Sequence, residues 1–336
     1  MADNKSLYPI KLNGKYGYID NTGKIVIEPK FEYGEEFYGE LAVIGIGDNF
    51  GFTDKAGSIV SSEEFQDVFE YSEGYTVVEL NGKKGFVDEK GNLKIKAVYD
   101  EANGFAEDLA AVQIGYKWGF INKEGSIVIE PEYLAAYDFS EGLALVQLGG
   151  KLGYIDKNGK IVIEPEYDYA HGFSEGMAAV QVNGNYGYIN NKGEMVIKPK
   201  YSLVNDFSEG LAAVELNNKY GYINASGKTV IEFKYDWADS FYEGLAAVAI
   251  EDKYGFINKE GKEVIAVKYD NVDVVSEGLI SVEVNGKWGF IDMEENFVIN
   301  PVFDEVSKFI DGASKVLFEN RTRYIDKKGE YIWKVE

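Results

Sequence analysis

The chain has 336 residues, 45% hydrophobic and 15% aromatic, which is enough apolar material for a folded core. Its 57 acidic and 34 basic side chains give a net charge of −23, which disfavours nucleic acid and anionic membranes as partners. With no cysteine and one histidine, His171, the sequence excludes disulfides, iron–sulfur centres, cysteine nucleophiles and most zinc sites. We expect no cofactor and no metal site.

Residues 1–6 form a polar tail with no apolar segment behind it, and no apolar run of about 18 residues is present to insert in a membrane. As written, the chain carries no signal peptide, so we expect a cytoplasmic protein, with an exported mature fragment as the alternative. The sequence leaves the compartment and the oligomeric state open.

A repeat begins at residue 7. The second glycine of GKYGYID recurs at intervals of 34 residues without insertion or deletion, and Arg323 occupies the tenth position of this column. The nine glycines are Gly17, Gly51, Gly85, Gly119, Gly153, Gly187, Gly221, Gly255 and Gly289. This spacing predicts a single array of about ten units over residues 7–336 rather than two domains.

Each unit predicts three strands in chain order. A first strand resembling MAAVQV ends at an Asn-Gly pair such as Asn183-Gly184, the strongest short signal for a two-residue hairpin turn. The second strand resembles YGYIN, and its final Asp or Asn precedes a glycine by three residues, which predicts another turn. The units are therefore predicted to be three-stranded antiparallel meanders, and the fold class is all-β.

Prolines and aromatics mark the end of each unit. Five of the six prolines share one column, where we expect them to stop the third strand; they are Pro29, Pro131, Pro165, Pro199 and Pro301. The linking segment, such as KYSLVNDFSEG, carries aromatic columns at Tyr201 and Phe207, which we expect to anchor neighbouring units.

The joining of the units has two solutions. We favour an open superhelical solenoid, because the unit is shorter than the ~40 residues of a four-stranded propeller blade and the terminal copies depart from consensus as caps do. The alternative is a closed, propeller-like ring in which the N-terminal strand completes the last sheet.

The assembled patterns K-[YW]-G-[YF]-I-[DN]-x-x-G and F-S-E-G-L-A-A-V resemble the WG-repeat (KWG) proteins of bacteria, and the literal Trp-Gly pair occurs at Trp118-Gly119 and Trp288-Gly289. The resemblance covers residues 7 to 336 and implies a β-rich repeat scaffold without a defined activity. Lys84, Leu152 and Thr322 depart from the pattern at its first position.

The variable aromatic before the repeat glycine is the candidate binding position. An exposed ladder of these rings would bind a peptide or stack on sugars, whereas we favour their packing between units. The candidates are Tyr16, Phe50, Trp118, Tyr186, Tyr220, Tyr254 and Trp288. The aromatic two residues further on is expected in the core, and the carboxylate column that includes Glu73 and Glu175 is expected to cap the linking turns.

The leading functional hypothesis is a non-enzymatic repeat scaffold that binds a protein or peptide, with preference for a basic partner, through an acidic, tyrosine-rich extended surface. The alternative is a glycan or cell-wall binding module that uses the Trp/Tyr ladder. A hydrolase with paired carboxylates ranks third, since repeated carboxylates offer many equivalent groups rather than one asymmetric catalytic constellation.

Overall fold

The computed structural model describes residues 6–61 and 64–333, and the regular structure in these ranges is entirely β. Its 37 strands form ten antiparallel meander sheets, which we number blades 1 to 10 in chain order. A complete blade has four strands, A to D. The described ranges contain no helix that is long and apolar enough to cross a membrane.

The strands fall into four sets by their place in the blade. The A strands are β4 (Gly34–Tyr38), β7 (Asp67–Ser72), β11 (Glu101–Ala106), β15 (Ala135–Ser140), β22 (Leu203–Val204), β26 (Trp237–Ala238), β30 (Asn271–Ser276) and β34 (Glu305–Val306). The B strands are β1 (Tyr8–Leu12), β5 (Leu41–Ile46), β8 (Tyr75–Leu80), β12 (Leu109–Ile114), β16 (Leu143–Leu148), β19 (Met177–Val182), β23 (Leu211–Leu216), β27 (Leu245–Ile250), β31 (Leu279–Val284) and β35 (Ala313–Phe318). The C strands are β2 (Lys15–Ile19), β6 (Asn49–Asp54), β9 (Lys83–Asp88), β13 (Lys117–Asn122), β17 (Lys151–Asp156), β20 (Asn185–Asn190), β24 (Lys219–Asn224), β28 (Lys253–Asn258), β32 (Lys287–Ile291) and β36 (Arg321–Asp326). The D strands are β3 (Ile25–Phe31), β10 (Leu93–Tyr99), β14 (Ile127–Tyr133), β18 (Ile161–Tyr167), β21 (Met195–Tyr201), β25 (Thr229–Tyr235), β29 (Glu263–Tyr269), β33 (Phe297–Phe303) and β37 (Tyr331–Trp333).

The two predicted hairpins of each unit are present as the B–C and C–D pairs. In blade 6 the B–C turn has φ of 51° at Asn183 and 81° at Gly184, the two positive values that a type I′ turn requires. The C–D turn of blade 5 is closed by Asp156, whose Oδ1 accepts hydrogen bonds from the backbone N–H groups of Asn158 (2.9 Å) and Lys160 (3.0 Å).

The repeat glycine lies where the D strand bulges across the C strand. A Cβ at Gly187 would lie 2.3 Å from the carbonyl oxygen of Ile197 and 2.7 Å from the nitrogen of Pro199, so no larger residue fits. The register shifts at this place in blade 6 between the Tyr188–Ile197 and Tyr186–Tyr201 pairs. The prediction that the prolines stop the strand is wrong: Pro199 lies inside β21 at the bulge, where its missing N–H costs little.

The predicted three-stranded meander lacks one strand that most blades of the structure contain. The linking segment forms the A strand and pairs with the B strand, as β11 does with β12, so seven blades have four strands and three have three. In blade 6 the A position has the isolated bridges Ala170–Val180 and Ser174–Met177, and the described residues at the D position of blade 2 form the isolated bridges Phe50–Phe65 and Thr53–Ile59. Among the described residues, none occupies the A position of blade 1.

The A strands are innermost. The A strand of blade 4 packs beside the A strands of blades 3 and 5, and the D strands of these blades have no contact of the same extent, so the blades converge at the A edge. Each hydrophobic cluster combines two consecutive blades, as Phe120 of blade 4 and Phe139 of blade 5 do. The molecule is a ten-bladed β-propeller whose A strands surround the central channel.

The favoured open superhelix is wrong, because blade 10 packs on blade 1. The Tyr324 hydroxyl donates a hydrogen bond to the Pro9 carbonyl (2.9 Å), and the Tyr8 hydroxyl donates one to the Ile310 carbonyl (2.7 Å). A core cluster that includes Ile10 spans the two blades, so the described residues form ten clusters for ten interfaces. The closed-ring alternative is confirmed, but its strand exchange is not: the N-terminal strand β1 pairs with β2 in blade 1 and does not complete the sheet of blade 10.

The expectation failed for a physical reason. A 34-residue unit accommodates four strands because its turns are tight and its link to the next blade is short. The terminal residues that depart from consensus are seam residues rather than caps: Ser6 donates a hydrogen bond to the Asp311 carboxylate, and Asn21 Nδ2 donates one to the Asp311 carbonyl (3.3 Å). Of the predicted polar tail, residues 1–5 lie outside the described residues.

Candidate binding surface

The predicted aromatic ladder is distributed around the ring rather than assembled as one strip. Each candidate is the second residue of a C strand, or of its equivalent, and each is half-buried. Trp118 packs against the cluster between blades 4 and 5, and Tyr220 against that between blades 7 and 8. Burial raises the pKa of Tyr220. The half-buried rings are Tyr16, Phe50, Trp118, Tyr186, Tyr220, Tyr254 and Trp288.

The aromatic two residues further on is a core residue, as predicted. Tyr188 of blade 6 is fully buried, and its ring centroid lies 4.9 Å from that of Phe207 in the A segment of blade 7. Its hydroxyl donates a hydrogen bond to the Asn205 carbonyl of blade 7 (2.7 Å), and burial raises its pKa well above the usual range. This ring pair recurs at seven interfaces: Tyr18–Phe37, Phe86–Phe105, Phe120–Phe139, Tyr154–Phe173, Tyr188–Phe207, Tyr222–Phe241 and Phe290–Phe309.

The repeated carboxylates of the A–B turns join one blade to the next. Glu175 of blade 6 accepts a hydrogen bond from the backbone N–H of Gly210 in blade 7 (2.8 Å), and Glu141 accepts one from Gly176 (2.8 Å). Glu209 also pairs with Lys259 (2.9 Å), and this hydrogen bond holds the pKa of Glu209 below its usual range. These carboxylates are bound in structure, as predicted.

His171 contributes to a belt of polar contacts between neighbouring A segments. Its Nδ1 lies 2.8 Å from Oδ1 of Asp206 in the next blade. Asn103 makes the same type of contact with Asp138 (3.0 Å). Among the described residues, no cluster of three or more acidic or imidazole side chains could hold a metal ion.

Sequence reasoning missed the surface that surrounds the channel. We call the residues 16 and 15 positions before the repeat glycine the inner positions; His171 and Gly172 are the pair in blade 6. Among described residues these positions carry one lysine, Lys308, against seven exposed or half-buried carboxylates. The carboxylates are Glu35, Glu36, Glu70, Asp138, Asp206, Asp239 and Asp273. The signal available in the sequence was an excess of acidic residues at the inner positions. No single residue type is retained there, and the A strand of this segment was not predicted.

Two cavities of the ring lie where a unit departs from the repeat. In blade 9, Val275 stands at the position that Phe207 has in blade 7, and a cavity of about 120 Å³ lies between blades 8 and 9. In blade 3 the same position carries Tyr71, and a cavity of about 250 Å³ lies between blades 2 and 3. Two further cavities, of about 350 and 460 Å³, flank blade 1.

Comparison with solved structures supports the propeller fold. A structure described as the eukaryotic initiation factor is 11% identical, has a TM-score of 0.60, and aligns over 99% of this chain and 96% of its own. BamB from Moraxella catarrhalis is also 11% identical, with a TM-score of 0.41 over 79% of this chain and 95% of its own. At this identity the first similarity establishes a shared fold and nothing about activity. None of the curated proteins matches the chain in sequence.

Family comparison gives a second, independent result. The model described as the WG-containing repeat matches nine consecutive segments. They are residues 16–49, 50–83, 85–118, 118–151, 153–186, 186–220, 220–254, 254–288 and 288–321. With matches over nearly the whole array, the chain belongs to the WG-repeat family.

Proposed function

We propose that this propeller is a non-enzymatic scaffold that binds a protein or peptide with basic side chains at the inner edge of its ring. The observation that carries the proposal is the imbalance at the inner positions, where the described residues place seven carboxylates and one lysine on or directly after the A strands. Like charges gathered around a concave opening focus the field, which raises the local concentration of a cationic partner.

The other repeated groups are less suited to recognition. The A–B turn carboxylates, such as Glu175, are bonded to the next blade, and the carboxylates of the C–D turns, such as Asp156, are bonded to their own backbone. The inner carboxylates are the ones with exposed area that recognition requires, as at Asp239 and Asp273. Catalysis needs one asymmetric constellation, whereas the repeated groups are nearly equivalent from blade to blade.

The glycan-binding alternative has weaker support. Sugars stack on the open face of an aromatic ring, and the seven candidate rings are half-buried against interblade clusters. Failure to bind basic peptides combined with retention of a polysaccharide would favour that alternative.

The test is fluorescence anisotropy with a labelled Gly/Ser peptide that carries three spaced lysines. The variant replaces the exposed inner carboxylates Asp206, Asp239 and Asp273 with asparagine. The control replaces the exposed D-strand carboxylates Glu130, Glu164 and Glu232 with glutamine, which removes the same charge from the outer edge.

We expect the inner variant to weaken binding by about tenfold and the outer control by less than about twofold, with affinity falling as salt rises. Equal losses in the two variants, or no binding of the peptide by the unaltered protein, would contradict the proposal.

A further inference from the structure

The interface between blades 2 and 3 departs from the ring pairing. At this position Tyr71 replaces the consensus phenylalanine, and its hydroxyl donates a hydrogen bond to Glu89 (2.7 Å). No ring contact joins Tyr71 to Phe52, the C-strand aromatic that a phenylalanine would meet. The vacated volume is the cavity of about 250 Å³.

The floor of this cavity is apolar. Val43 and Phe52 line it and are both buried, and Thr76 closes one side where most blades have alanine. The rings of Tyr38 and Phe69 line the opening, with 56% and 43% of their surfaces exposed. The cavity is smaller than the roughly 300–1,000 Å³ of sites for drug-sized ligands, so its size suits one long side chain.

The mouth of the cavity has an unmatched set of hydrogen-bond acceptors. At three other interfaces the two facing inner positions are joined by a hydrogen bond, as Asn103 and Asp138 are. Here the facing residues are Glu35 and Glu70, and among the described residues neither has a cationic partner within ion-pair distance. The Tyr33 hydroxyl donates to Glu35 (2.7 Å), and within the part of the chain that the structure describes no hydrogen bond reaches the Glu70 carboxylate.

The other charged groups near the mouth already have hydrogen-bond or ion-pair partners. Glu40 pairs with Lys55 (3.1 Å), and Glu89 accepts from the Tyr71 hydroxyl. Lys84 lies with its Nζ 3.6 Å from the ring centroid of Phe69 and pairs with Glu79 (2.6 Å). The ring of Phe69 therefore already receives one ammonium group, as electron-rich ring faces do.

We propose that this cavity, which we call the blade 2–3 pocket, takes a lysine or arginine side chain of the partner. The aliphatic stem would contact Val43 and Phe52, while the cationic head would lie between the carboxylates of Glu35 and Glu70. Such a charge-assisted contact supplies the donors that this interface lacks. The inference rests on the proposed function and names the side chain that the ring selects.

The test uses the tri-lysine peptide and a matched peptide whose central lysine is norleucine, which keeps the stem and removes the charge. The principal variant is Glu35→Gln with Glu70→Gln, and its control is Glu130→Gln with Glu164→Gln on the outer strands. A second variant, Thr76→Ile, fills the pocket without changing charge; the corresponding residue of blade 9 is the buried Ile280, so the substitution has a precedent within the ring.

We expect the Glu35/Glu70 variant and Thr76→Ile each to weaken binding of the tri-lysine peptide by about tenfold, the control by less than about twofold, and norleucine to weaken binding to the unaltered protein. Tight peptide binding that neither pocket variant changes would overturn the pocket and leave the proposed function standing. No peptide binding by the unaltered protein would instead overturn the proposed function and the pocket with it. Melting temperatures close to that of the parent confirm folding, and if the double variant misfolds, Thr76→Ile decides.

Discussion

The interface between blades 6 and 7 and that between blades 2 and 3 show two uses of the same backbone. In the first, the ring of Tyr188 packs on that of Phe207; in the second, Tyr71 is bonded to Glu89 and a cavity lies beside Phe52. Regular interfaces use their side chains for packing and turn closure. Functional capacity is therefore to be sought where a unit departs from consensus.

The largest expected effect comes from breaking a regular blade at its bulge. Gly187→Ala places a Cβ 2.3 Å from the Ile197 carbonyl oxygen, so we expect a loss of about 3 kcal/mol from the free energy of unfolding. Gly176→Ala is the control: this residue has a positive φ of 76° and open space around its Cα, so the loss should be about 1 kcal/mol. Urea unfolding measures both, and equal losses would show that the close approach to the D strand is not the constraint.

Exchanging the ring column sharpens the comparison. Phe207→Val should open a cavity like the one beside Val275 and cost about 2–3 kcal/mol. The reciprocal Val275→Phe should fill the cavity of about 120 Å³ between blades 8 and 9, with a stability change of less than about 1 kcal/mol in either direction. Denaturation midpoints of the two variants test this, and a strong destabilisation by Val275→Phe would mean that the cavity cannot accept the ring.

The seam can be compared with a regular interface through one hydroxyl at each. Tyr188→Phe and Tyr324→Phe each remove an interblade hydrogen bond and leave the ring in place. Each should cost about 1 kcal/mol, since phenylalanine occupies this position in other blades, such as Phe120. If Tyr324→Phe were silent while Tyr188→Phe was not, the ring would be open in solution.

The smallest effect concerns the link between blades, where Lys219 pairs with Asp236. Hydrogen bonding to Lys219 holds the pKa of Asp236 below its usual range, so the folded state releases this proton more readily than the unfolded state. The stabilisation is then present above the unfolded pKa of about 4 and is lost as pH falls through the lower folded value. The parent should melt slightly above Asp236→Asn, and the difference is small because the pair is exposed. This difference should shrink as the pH is lowered. A difference that grew would mean that the pair stabilises the protein at low pH instead.

The sequence predicts the features that are determined by residues within a single repeat. Asn183-Gly184 requires positive φ at both residues, and Gly187 admits only hydrogen at its Cα, so the hairpins and their period were readable. The A strand was not, because His171 and its counterparts vary in type and are held by pairing with a neighbour rather than by their own propensity. Ring closure depends on the angle between successive blades, which no residue pattern encodes alone.

The pocket between blades 2 and 3 was unreadable for a related reason. By sequence Tyr71 is an ordinary member of an aromatic column, and neither its hydrogen bond to Glu89 nor the pairing of Phe52 with Phe65 instead follows from that column. The opposition of Glu35 and Glu70 likewise depends on the contact between A segments of different blades.

Hydrogen–deuterium exchange with and without the tri-lysine peptide tests most directly whether departures from the repeat carry the binding function. The peptide is expected to slow exchange most in β4 (Gly34–Tyr38) and β7 (Asp67–Ser72), which flank the blade 2–3 pocket. The protection should be weakest in the regular blades 4 to 6. Protection spread equally over all ten blades, or confined to the regular ones, would contradict the claim that departures from the repeat carry the binding function.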